Sequence, residues 1–246
     1  LLFSVSCHPS TISGFLISAD YPGPAMDRLD DHLGAECSLF LQGAGGDTKA
    51  SVIGQGEQWS SGPWEKVAQA GRIVADEVIQ VLSDGLKPVK PAIRSSLVET
   101  QWPLQDAPER AELAAIAADE KRNEIKRLWA RRLVARLDKG AKLRTRMPVL
   151  HQGLQLGHGC RLIALEGEAV AGLGLHILKH YKGQGVTFPL GYSNGMQAYL
   201  PTSAMIDEGG YEVLSYHEYG QPAPLAKGME TIITNGLTQM RKDGVE

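Results

Sequence analysis

Gly191-Tyr192-Ser193-Asn194-Gly195-Met196-Gln197-Ala198-Tyr199-Leu200-Pro201-Thr202, continuing to Glu208-Gly209-Gly210-Tyr211-Glu212, is the stretch on which the reading of this chain turns. Its glycines and the Asn194-Gly195 pair interrupt any helix, whereas residues 202–208 are compatible with a short one. Tyr199 and Tyr211 stand on either side of that run. Tyrosine carries a polar tip on a large apolar body, so a buried hydroxyl needs a partner. Composition reads the pair as core tyrosines around a turn; the same layout is that of a site loop.

Upstream, residues 186–190 form the strand that feeds this loop, and residues 147–156 and 160–165 read as two earlier strands. The second runs into Glu166-Gly167-Glu168. A carboxylate just past a glycine at a strand end can reach a shared site, which makes Glu168 a candidate; Glu166 is expected to face away. His176 and His180, four apart, share one helical face and offer a rival metal pair. The zincin pattern would need Glu where Ile177 stands, and so does not apply. Downstream, Met229, Ile232, Leu237 and Met240 mark a closing amphipathic helix.

In the first half, residues 1–7 have the apolar and β-branched character of a buried strand, which Pro9 ends. His8 is left at the strand end, where ligands collect in open α/β sheets; an ordinary half-buried histidine is the alternative. Residues 27–33 read as a helix stopped by Gly34, and residues 36–41 as a strand entering Gln42-Gly43-Ala44-Gly45-Gly46-Asp47. A glycine-rich turn after a strand could cradle phosphate. Here a P-loop would need Gly-Lys-Ser/Thr where Asp47-Thr48-Lys49 stands, and the dinucleotide pattern would need glycine at Thr48; both fail. From Pro63, residues Val67, Ala70, Val74, Val78 and Leu82 fall on one helical face until Asp84-Gly85. Residues 93–102 read as a strand, and one long helix is expected over 108–137. Twelve of the 25 Lys and Arg lie between Arg110 and Arg146. Glu112, Asp119, Glu120, Glu124 and Asp138, with Glu109 beside them, interleave with these cations, which makes a solvated amphipathic helix rather than a nucleic-acid surface.

Composition bounds the rest. With 246 residues and 43% hydrophobic content, the chain can bury a full core, and its length fits one large domain or two small ones. A net charge of −3 gives no general attraction to nucleic acid or an anionic membrane. No apolar run approaches the ~18 residues of a membrane span, so no transmembrane segment is expected. Cys7, Cys37 and Cys160 are too few and scattered for a disulfide framework, and no Cys-x-x-Cys offers a thiolate zinc site. The chain opens on Leu1-Leu2-Phe3-Ser4-Val5, which reads as strand interior, so an upstream segment is expected.

Ser193-Asn194 with Tyr199, followed by Glu208-Gly209-Gly210-Tyr211-Glu212, resembles the closing site segment of the neutral/alkaline non-lysosomal ceramidases, a family of zinc-dependent amide hydrolases. Cys7-His8-Pro9-Ser10-Thr11 with Ile17-Ser18-Ala19-Asp20-Tyr21-Pro22-Gly23, then Gly46-Asp47, then Gly167-Glu168, resemble other parts of that family in the same order. The resemblance implies an α/β fold with a mixed β-sheet flanked by helices, residues 1–246 forming the C-terminal part of the catalytic domain. It implies a Zn2+ cofactor with His8, Glu168 and Tyr199 as metal ligands, and Tyr211 as the catalytic residue bonded to the reacting group. It implies a small-molecule or lipid N-acyl substrate cut at a linear amide through zinc-activated water, and favours a secreted or periplasmic location. The family's turn ends Gly-Asp-x-Ser-Pro, and Lys49 and Ala50 stand at the serine and proline positions. A further histidine ligand from an upstream His-Ser-Gly-type motif, and a trailing β-sandwich, have no match in this chain. Lys49 is the argument for the alternative, an inactive ceramidase-like relative that acts as a metal-binding or structural domain.

Overall fold

Residues 1–55 and 58–246 are described by a computed structural model. Strand β1 (Leu2–Val5) runs parallel to β2 (Leu39–Gln42), Leu2 opposite Leu39 and Val5 opposite Gln42. Helix α1 (Pro22–Leu33) connects them. It begins on proline, whose fixed φ suits a first turn, and ends at Gly34, left-handed at φ 66°. After β2 come a 3-10 turn at Ser51–Ile53 and the short antiparallel strands β3 (Gly54–Gln55) and β4 (Gln58–Trp59). Helix α2 (Trp64–Ser83), with Pro63 as its N-cap, packs along α1. Ala75 meets Phe3, Ala25 and Leu29 in a small core, with Val74 and Val78 of the expected face at its margin.

Strand β5 (Pro91–Pro103) follows, then α3 (Arg110–Ala118) and α4 (Glu124–Asp138). The single helix expected over 108–137 is therefore two. Asp119 leaves the helical region at φ −75°, ψ 97°, and the Asn123 side chain accepts from the Ile125 amide to start a new helix. Short polar side chains that bond nearby backbone compete with helix continuation, and their cluster at 119–123 outweighs the apolar periodicity on either side. The two helices fold back on each other around Leu113, Ile116, Trp129 and Leu133. Arg110 bonds Asp138 at 2.6 Å, so part of the interleaved charge pairs within the hairpin itself.

Then come β6 (Arg146–Gly157), β7 (Cys160–Leu165), β8 (Glu168–Ala169), α5 (Ala171–His180), β9 (Val186–Leu190), β10 (Tyr199–Leu200), α6 (Ser203–Glu208), α7 (Tyr211–Leu214) and α8 (Met229–Lys242). The main sheet has the order β5-β6-β7-β9. Its first two pairings are antiparallel; β7 and β9 pair in parallel, as the α5 crossover between them requires. Helices α5 and α8 pack beside this sheet, burying Trp102, Met147, Val149, Ile163, Leu165, Leu173, Ile177, Ile233 and Leu237 in one core. The architecture is the expected α/β one, a mixed sheet with helices against it. Among the described residues no helix is long and apolar enough to cross a membrane. The three cysteines are free thiols.

Candidate metal centre and adjoining cavity

The site forms where three strand ends meet. The chain leaves β1 for Cys7 and His8, and the glycine turn after β2 crosses directly beneath them. The Gly43 amide donates to Val5 O at 3.0 Å, the Gly46 amide to Ala169 O at 2.9 Å, and the His8 amide to Thr48 O at 2.9 Å. These backbones lie so close that a Cβ on Gly45 would stand 2.5 Å from the Cys7 nitrogen, and one on Gly46 2.8 Å from Glu168 O. Close approach between three chain segments, and not an anion cradle, is what the Gly-Ala-Gly-Gly sequence provides. Asp47 ends the turn by accepting from the Ala171 amide at 2.7 Å, which caps α5 from 124 residues away.

Glu168 and Tyr199 are register partners across the parallel β8–β10 pair. Gly167, at φ 131°, turns the chain between the two carboxylates, so that Glu166 and Glu168 part company although they are two residues apart. Glu166 goes to a separate network, accepting from the Leu150 amide at 2.8 Å and from Gln197 at 2.9 Å. Glu168 faces His8, with its Oε2 3.7 Å from His8 Nε2 and both side chains largely buried. The Tyr199 ring lies 6.3 Å from the His8 ring, centroid to centroid. His8, Glu168 and Tyr199 are thus brought together.

Sequence reasoning missed two further phenols. Tyr192 donates to Glu168 Oε2 at 3.1 Å and lies 3.0 Å from His8 Nδ1, and Tyr219 donates to Glu168 Oε1. Tyr192 sits in the quoted loop, and its neighbourhood to Glu168 could have been suspected from the strand feeding it. Tyr219 lies beyond α7 and carries no local signal. Burial first, and then hydrogen bonding to and the charge of Glu168, push the Tyr199 and Tyr219 phenols well above the ordinary range; burial and then the Glu168 charge and bond do so for Tyr192. Tyr211 stacks edgewise on Tyr199 at 5.5 Å between centroids, but its hydroxyl donates to Glu218 at 3.0 Å and the residue is 56% exposed. Burial, with Asp20 nearby, pushes the thiol of Cys7, beside His8, up to about 11, which disfavours the thiolate.

A cavity of about 480 Å³ opens on this cluster, lined by His8, Ser10, Gly46, Asp47, Lys49, Trp59, Tyr199, Tyr211 and Glu212. His8, Tyr199 and Tyr211 therefore line the same cavity as Lys49. The rival histidines do not join them: His176 bonds Thr234 on α8 at 2.9 Å. Among the described residues no group of three or more His, Cys, Asp or Glu side chains could hold a metal. A metal here would rest on the imidazole, one carboxylate and phenols. The imidazole and the carboxylate are zinc donors in type, and His8 Nε2 stands 3.7 Å from Glu168 Oε2, but Nε2 is bonded to Gly46 O at 2.9 Å, a contact that a metal on Nε2 would have to replace.

The solved structure titled "Ceramidase complexed with C2" is similar to this one, with a TM-score of 0.64 and 12% sequence identity. The match covers 100% of this chain and 46% of that one, so the chain spans less than half the length of that ceramidase. At this identity the likeness establishes a shared fold, a ceramidase-like α/β architecture. No protein-family model matches the sequence, and neither does any curated protein.

Proposed function

We propose that this chain carries a zinc-dependent hydrolytic centre acting on a linear amide of an N-acyl substrate, lipid or small molecule. His8, Glu168 and Tyr199 hold the metal, and Tyr211 donates to the oxygen of the reacting carbonyl. The observation that supports this reading is that His8 and Tyr199 line the cavity with Glu168 facing His8 beside it, in a fold similar to that of a ceramidase.

Zinc, when bound, lowers the pKa of its water toward about 7 and polarises a carbonyl oxygen, the two needs of amide cleavage. The chain's own groups do the rest. Tyr192 and Tyr219 hold the Glu168 carboxylate from both oxygens, so it need not reorganise when a cation arrives. Tyr199 must lose a proton that burial and Glu168 retain, so metal affinity rises with pH. Tyr211 exchanges its contact with Glu218 for the substrate oxygen, an interaction worth about 3 kcal/mol in the transition state at comparable sites. Trp59 gives the cavity an apolar wall for an acyl chain, and Lys49 sets the polar character of the same mouth.

Lys49 favours a second reading, an inactive relative that keeps the metal, because an exposed ammonium at the cavity cannot serve as the hydroxyl found in that place in ceramidases. Zinc stoichiometry by elemental analysis and turnover of fluorogenic N-acyl amides separate the two. The hydrolase reading expects about one zinc per chain, with both metal and turnover lost in Glu168→Gln, and a change of acyl preference exceeding the loss of rate in Lys49→Ala. Zinc without turnover on any N-acyl amide selects the second reading; absence of zinc at saturating concentration sinks both.

A further inference from the structure

The segment that carries Tyr219 is tied to the strand that carries Tyr199 by a buried glutamine. Tyr219 donates to Glu168 Oε1, and two residues on, Gln221 donates from Nε2 to the Gln197 carbonyl at 2.8 Å. Gln197 stands two residues before Tyr199, the register partner of Glu168, and the Glu168 amide donates to Ala198 O between them at 2.9 Å. Three hydrogen bonds thus join residues 197–199, Glu168 and residues 219–221 in a triangle, with the Gln221–Gln197 rung as its third side. The rings of Tyr199 and Tyr219 meet edge to face across it, with centroids 5.9 Å apart.

Both ends of the rung are held from elsewhere in the fold. Trp129 on α4 donates through Nε1 to Gln221 O at 2.8 Å, and the Gln221 amide donates to Tyr216 O at 3.1 Å. The Gln197 side chain donates to Glu166, which the Leu150 amide on β6 also holds. A second, independent observation concerns the other atom of the same side-chain amide. Gln221 is 1% exposed, and its Oε1 has no hydrogen-bond partner among the described residues. A buried carbonyl without a partner costs free energy, and methionine would fill the volume without that cost. For packing alone glutamine is the poorer residue, and what it adds is the Nε2 bond to Gln197.

We propose that Gln221 is a positioning residue for this centre: its amide sets the separation of residues 197–199 from residues 219–221 and so places the phenols around Glu168 for metal binding. This role rests on the zinc reading of the site, and two readouts separate the two. The full chain is compared with Gln221→Met, which keeps the volume and removes the donor. That change exchanges one unpartnered carbonyl, Gln221 Oε1, for another, Gln197 O, so the thermal midpoint should move little. In zinc-free protein labelled with 13C tyrosine, nuclear Overhauser contacts between the Tyr199 and Tyr219 rings should be present in the wild type and weaken in Gln221→Met, with Tyr219→Phe assigning them. Chelator competition should show Gln221→Met binding zinc about 10- to 100-fold more weakly. Ser96→Ala, which removes a hydrogen bond to Asp243 from β5 at the sheet edge opposite β9, should change neither readout. An unchanged ring contact in Gln221→Met overturns the proposal, as does unchanged zinc affinity where the wild type binds zinc. If the wild type binds no zinc, the zinc reading fails and the metal role of Gln221 with it, while the ring contact still decides whether the rung places the phenols. Should Gln221→Met not fold, Trp129→Phe takes its place under the same expectations, since it removes the donor to Gln221 O and keeps an aromatic ring against Tyr216.

Discussion

Acidification should destabilise this protein in a defined window through His151, a residue far from any ligand role. It lies on β6 with no solvent exposure, its Nε2 3.1 Å from Thr100 Oγ1 and its ring 6.0 Å from that of Trp102. Thr100 donates to Val149 O at 3.0 Å and accepts from Trp102 Nε1 at 2.9 Å, so His151 is the donor through Nε2–H and its Nδ1 faces the core without a partner. Burial lowers its pKa from 6.5 to about 4. The unfolded chain then binds the proton first, so stability is full above about pH 6.5, falls as pH drops toward 4, and is level below that. At about 1.36 kcal/mol per pKa unit the loss comes to about 3 kcal/mol, a large share of the ~5–15 kcal/mol that holds a typical domain. Urea unfolding at half-unit steps from pH 4 to 8 measures it, with His151→Leu as reference. That variant keeps the volume and leaves Thr100 with both its remaining partners, so it folds and lacks this slope. Parallel pH profiles for the two proteins would refute the reasoning.

Three other perturbations follow from single contacts. Gly45→Ala places a methyl 2.5 Å from backbone atoms of Ser6 and Cys7, which cannot yield as a side chain could, and should cost about 3 kcal/mol in thermal unfolding. Asp20, 4% exposed, accepts from the amides of Thr11, Ile12 and Tyr21; Asp20→Ala orphans all three and should lose about 3 kcal/mol or more by denaturant titration, with Asp20→Asn losing less. Asn123→Ala removes the cap that starts α4 and should cost about 1 kcal/mol by the same assay, whereas a neutral result would mean that packing alone fixes the break between α3 and α4.

The strands 160–165 and 186–190, the helix ended by Gly34 and the closing helix from Met229 were legible because each rests on a local rule: apolar runs, a glycine at a positive φ, a 3.6-residue apolar period. The break at 119–123 was not, because competition between a side-chain cap and a continuing apolar face is settled only when the two halves find each other in the hairpin. His8, Glu168 and Tyr199 stood out in the sequence since each lies at a strand end or in a glycine-bounded loop, while a donor role for them came from the resemblance to ceramidases and not from local spacing. What surrounds them did not stand out. Tyr219 reaches Glu168 from 51 positions away, and Tyr192 reaches His8 from 184 away. The sequence by itself determined most of the longer strands and helices, though not the break at 119–123, and which residue types stand where strands stop. The tertiary structure alone decided that three strand ends converge and which phenols surround the Glu168 carboxylate. Local spacing encodes backbone conformation, whereas a hydrogen bond between distant residues exists only after the whole sheet has set their separation.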